Sequence, residues 1–193
     1  MNLRMPRAGT LVLLAITITG CASSHVEGSI GLSSTEIQRA AMRAAANMTF
    51  TRNEVPPGAG ADMGGVTEYF ESSSPDAEQP IIRIFSKDGE AMAVSIGLVP
   101  DQNTSDAGAA AQKQLKNVTV AIADLFSTEA VSWASFAIQR VAERPSTREV
   151  NTFNGVKFVA DSDSRDDSEN PALTGPPIAI GIVGDAVPAY WEF

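Results

Sequence analysis

The chain has 193 residues, 44% hydrophobic and 19% charged, with 23 acidic against 14 basic side chains and a net charge of −9. That balance excludes a nucleic-acid binder and a polybasic grip on anionic lipid, both of which need clustered Lys and Arg. The only cysteine is Cys21 and the only histidine is His25, so a disulfide framework, imidazole- or thiol-based nucleophile systems and ordinary zinc, copper or haem sites are excluded for everything beyond them.

Residues 1–20 have the layout of a secretory signal: Arg4 and Arg7 precede an apolar run that ends in small residues. The run is shorter than the ~20 residues a membrane-spanning helix needs, and the separated arginines are not a twin-arginine signal. Ile18-Thr19-Gly20-Cys21 resembles the lipobox of bacterial lipoproteins, an aliphatic residue and two small residues before a cysteine. The resemblance implies a diacylglyceryl group on the Cys21 sulfur, cleavage before Cys21 and acylation of the new amino terminus. Ala22 follows the cysteine where aspartate would signal inner-membrane retention, so the resemblance also implies a lipid-anchored protein of the outer membrane whose domain faces the periplasm. Cleavage would leave 173 residues with 12 basic and 23 acidic side chains, net −11. Attachment must then come from the acyl chains, of which one binds marginally and two or more bind stably.

Cys21 to Leu32 is rich in Ser and Gly and reads as a flexible tether. Residues 33–193 are long enough for one domain with a real core. Ser33-Ser34-Thr35-Glu36 matches a capping box, and Ile37, Ala41, Ala44 and Met48 recur at helical spacing, which predicts a helix over 34–48. Asn53 to Gly65 reads as a loop, Val66 to Glu71 as a strand and Ser72 to Pro80 as a turn-rich stretch. Ile81 to Val99 reads as a hairpin about Asp88-Gly89, whose residues suit the positive φ angles of a type I′ turn. An unbroken register pairs Lys87 with Glu90, Phe85 with Met92 and Ile81 with Ile96, placing Ile81, Phe85, Met92, Val94 and Ile96 on one face. Ser105 or Asp106 can cap a long helix with Ala111, Leu115, Val118, Ile122 and Leu125 on its apolar stripe. Residues 129–144 suit either a helix, with Trp133, Phe136, Ala137, Arg140 and Val141 at its spacing, or a strand; length and composition favour the helix. A second hairpin runs from Thr147 to Asp161 about Asn154-Gly155. Asp161 to Pro177 reads as an acidic loop, and Ile178 to Val183 and Ala186 to Phe193 as closing strands. The order is helix, three strands, two helices, four strands. It predicts an α+β fold with helices packed on one face of a mostly antiparallel sheet.

His25 alone in the tether cannot fix a metal's coordination geometry. Ser95 in Ala93-Val94-Ser95-Ile96-Gly97 superficially matches a nucleophile elbow, but it sits within a strand and has no histidine partner. Asp161 to Asp167 departs from a calcium loop at Arg165, Asp166 and Ala172 and reads as a solvated acidic loop. Gly58-Ala59-Gly60 lacks the lysine and helix start of a phosphate loop. Paired carboxylates are the one catalytic chemistry left, as glycoside cleavage needs only two acids; Glu68 beside Tyr69, with Glu71 nearby, is the best candidate. In Pro188 to Phe193, alternation places Trp191 and Phe193 in the core and Tyr190 and Glu192 in water, against an edge strand offered to a partner. The expectation is therefore no catalytic residue, no metal and no cofactor, with lipidation at Cys21. It is a non-enzymatic envelope protein that binds or assists another envelope protein, the alternatives being a carboxylate-dependent glycan hydrolase or a small-ligand binder.

Overall fold

The computed structural model describes residues 26–55, 64–74, 80–98, 105–144, 146–162 and 178–185. Over these the chain is α+β: seven antiparallel strands in one sheet, with three helices packed on one face. The strands are β1 (Thr49–Glu54), β2 (Glu68–Ser73), β3 (Ile81–Lys87), β4 (Glu90–Leu98), β5 (Arg148–Phe153), β6 (Val156–Ser162) and β7 (Ile178–Val183). Their order across the sheet is β1-β2-β3-β4-β7-β6-β5. Two meanders, β1–β4 and β5–β7, thus meet where β7 pairs with β4. The helices are α1 (Ser34–Ala44), α2 (Ser105–Ala123) and α3 (Thr128–Glu143), with α2 between the other two. The stretch expected over 129–144 is helical from Thr128 to Glu143, as its length and composition favoured.

Local chemistry explains the element ends. Ser33 caps α1: the Glu36 N–H donates to Ser33 Oγ at 3.3 Å, and the Ser33 N–H donates to Glu36 Oε2 at 2.9 Å, the reciprocal pair of a capping box. The helix ends four residues earlier than expected, with Ala45 extended and Asn47 at φ +66°; Met48 still reaches the core. Both hairpins turn on two residues of positive φ, Asp88 (+53°) with Gly89 (+83°) and Asn154 (+51°) with Gly155 (+82°).

Ile82, Ile84, Val94, Ile96, Ile178, Ile180, Ile182 and Phe158 lie under the helices, meeting Ile37, Leu115, Val118, Ile122, Ala134 and Val141. Phe158 is the centre of an aromatic cluster, edge-on to Phe126 at 5.1 Å, Phe153 at 5.3 Å and Trp133 at 6.0 Å. Arg140 of α3 clasps Glu149 of β5 with two hydrogen bonds of 2.8 and 3.0 Å, fixing the helix over that half of the sheet.

Four expectations need correcting. The first hairpin keeps Lys87↔Glu90 and Ser86↔Ala91, but Phe85 then pairs with Ala93, Ile84 with Val94 and Ile82 with Ile96. Met92 is the extra residue of a β-bulge, and one extra residue turns the following side chains over. Val94 and Ile96 therefore share the helix face with Ile82 and Ile84, while Ile81 is 47% exposed and Phe85 packs with Val66 and Met92 in a small second cluster. Second, β1 occupies residues expected to lie outside any strand, so four strands precede the long helices. It is a polar edge strand in which only Phe50 is a large apolar residue turned to the core, which leaves almost no hydrophobic period to read. Third, of the residues placed at helical spacing on α3, Ala137 and Val141 face inward with Ala130, Ala134 and Ile138, whereas Phe136 is 63% exposed.

Fourth, residues 26–32 are docked rather than free. The Ile30 N–H donates to Ala91 O and the Ala91 N–H to Leu32 O, each at 2.9 Å, and Ser33 forms an antiparallel bridge with Glu90. Ile30 is 3% exposed. This strap continues along β4 past the end of β7, where the Gly184 N–H donates to Met92 O. The bulge thus sits where the neighbour of β4 changes from β7 to the strap. Residues 186–193, expected as a closing strand, lie outside the described residues.

Candidate functional site

Cys21, the residue expected to carry lipid, and His25 lie outside the described residues, as do Gly58 to Gly60 and Asp163 to Pro177. Of the acidic stretch, Asp161 and Ser162 belong to β6. Asp161 faces Arg148 across the β5–β6 pair at 3.8 Å. The Ser162 hydroxyl donates to Arg144 O and accepts from the Thr147 N–H, holding the entry into β5. Ser95 is a mid-strand residue of β4 between Arg83 and Gly181, a position without the sharp strand-to-helix turn a nucleophile requires.

Glu68 and Glu71 do not converge. They are three positions apart on β2, so their side chains leave opposite faces of the sheet. Glu71 is held by Arg83 Nε at 2.5 Å on the face away from the helices, where Tyr69 stacks on Phe85 with ring centres 5.6 Å apart. Glu68 is on the helix side, its side chain 14% exposed. The buried Ser86 hydroxyl donates to its Oε1 at 3.1 Å, and the Arg52 guanidinium pairs with Oε2.

The residue placed with Glu68 is Glu54, its direct cross-strand partner on β1. Sequence reading missed this pairing because it depends on a strand that carries too little apolar period to be seen. Arg52, Glu54, Val55, Thr67, Glu68, Asp88 and Gly89 line an open groove of about 370 Å³ at the end of the sheet where both hairpins turn. Directly opposed carboxylates repel, and Arg52, diagonal to the pair, offsets one of them. Among the described residues the groove therefore has an ion-paired, largely buried Glu68 beside a Glu54 that makes no ion pair. Among the described residues that line it, none is an aromatic against which a sugar ring could stack. Among the described residues, no group of three His, Cys, Asp or Glu side chains is placed to hold a metal ion. No helix among them is long and apolar enough to cross a membrane.

Compared with protein-family models, with curated proteins and with solved structures, the chain matches none.

Proposed function

We propose that the protein is a lipid-anchored envelope protein, attached through Cys21 to the outer membrane, with a non-enzymatic binding or accessory role towards another envelope protein. The observation that carries this reading is the Ile18-Thr19-Gly20-Cys21 sequence behind a basic and apolar leader. Two further points support it. Beyond His25 the chain has no side chain whose ordinary pKa lies near neutrality, so acid–base turnover would need a strongly displaced carboxylate or lysine. The carboxylate favoured for such chemistry, Glu68, is engaged by the Arg52 guanidinium and the Ser86 hydroxyl, and Glu71 leaves the opposite face of the sheet, so the two do not converge on one substrate.

The test is to incubate the purified, detergent-solubilised protein with peptidoglycan and to crosslink the intact envelope in parallel. No release of glycan fragments is expected, together with one recurrent envelope protein captured by the wild type and lost in Cys21→Ala. Fragment release that disappears in a folded Glu68→Gln variant would instead establish a carboxylate hydrolase working in the Glu54–Glu68 groove.

A further inference from the structure

The strap has a consequence for how the domain stands on the membrane. Gly28 is buried and lies so close to β7 that a Cβ on Gly184 would sit 1.9 Å from Gly28 O. Two residues later Ile30 enters the core, and the Ser29 hydroxyl donates to Glu90 Oε2 at 3.1 Å. The chain is thus fixed to the sheet from about Val26 onward, five residues after Cys21. Five residues span at most about 18 Å when fully extended, against about 43 Å for the twelve residues to Ser33 if the strap were free.

Val26, the first described residue of the strap, packs with Val66, Met92 and Val183, and the strap runs at the turn end of the sheet beside Asp88-Gly89, the start of β4 and the end of β7. Among the described residues this end carries Glu27, Glu36, Glu54, Asp88, Glu90 and Asp185 against Lys87 and Lys157, besides the Arg52–Glu68 ion pair. Such a surface is repelled by anionic headgroups, so it has no electrostatic tendency to lie flat on them. The opposite end, with the C-terminus of α3 and the start of β5, is one strand length away, roughly 27 Å for a nine-residue strand.

We propose that the docked strap, rather than a flexible tether, orients the domain: it holds the turn end of the sheet towards the lipid surface. This rests on the lipid-anchor reading of Cys21.

The experiment uses the purified lipoprotein in vesicles of phosphatidylethanolamine and phosphatidylglycerol that contain an acceptor-labelled lipid. With Cys21 blocked by its lipid, a donor dye is placed on one introduced thiol, either Glu54→Cys at the turn end or Glu143→Cys at the far end; both positions are exposed. Energy transfer to the lipid should be several-fold stronger from residue 54 than from residue 143. Gly184→Ala, which expels Gly28 from its seat, should collapse that difference. If this variant fails to fold, a ten-residue Gly-Ser insertion between Ser24 and His25 makes the same comparison with the domain untouched, and the difference should again collapse. Equal transfer from both positions in a protein whose N-terminal peptide carries the lipid would overturn the orientation and leave the anchor standing. An N-terminal peptide without lipid would overturn both.

Discussion

Thr119 lies on α2 with its side chain fully buried and, among the described residues, no hydrogen-bond partner for its hydroxyl. A buried hydroxyl left unpaired loses its water for nothing in return, a penalty of about 1–3 kcal/mol. Thr119→Val keeps the shape and removes the polar atom, so it should raise the free energy of unfolding by about 1 kcal/mol, read as a higher urea midpoint at unchanged slope. Glu36 is the other instructive residue. Its carboxyl is held below the usual glutamate range, first by the Ser33 N–H, then by the Ser33 hydroxyl. A depressed folded pKa contributes stability above the ordinary value near 4.5 that is lost as pH falls through the folded one. Glu36→Gln keeps an acceptor but not the charge, so its deficit against wild type should be present at pH 7 and shrink towards zero on acidification. Denaturation midpoints measured across that range decide it; a deficit independent of pH would show that the charge is idle. This cap was legible in the sequence because Ser33 and Glu36 lie within four residues of each other. Thr119 was not, because nothing local says that its side of α2 is covered.

At the scale of elements, the two turns and the stripe of α2 could be read directly, since Asp88-Gly89, Asn154-Gly155 and the spacing of Leu115, Val118 and Ile122 are short-range signals. Leu115 and Ile122 are fully buried, so Leu115→Ala should cost about 2–5 kcal/mol. Phe158, touching three other rings, should cost about 3–5 kcal/mol on truncation to Ala; unchanged thermal midpoints would contradict the packing described. What escaped the sequence was set by partners distant along the chain. The bulge at Met92 depends on the strap and on β7, some 60 and 90 residues away. β1 is a strand because β2 pairs with it, not because its own residues insist. The strap looked free because Ser and Gly suggest mobility, yet those small residues are what let it approach β7 closely. The Glu54–Glu68 pair was invisible for the same reason as β1. Glu68 lines the groove, but its supposed companion Glu71 points the other way.

For the whole molecule, the α+β architecture followed from the order of short- and long-period segments, whereas the meeting of the two meanders at β4 and β7 could not be read from either alone. The central claim is that this domain works while fixed to a membrane by lipid on Cys21, with net charge −11 after processing keeping it from adhering to anionic surfaces. No other cysteine could substitute, so Cys21→Ala should release the protein from the membrane fraction entirely. The most direct measurement is the mass of the N-terminal peptide from wild-type protein isolated from bacterial membranes. The account predicts that the peptide begins at Cys21 and carries a diacylglyceryl group on its sulfur with an acylated amino terminus. A peptide that begins elsewhere, or an unmodified Cys21 in a protein recovered wholly in the soluble fraction, would contradict it.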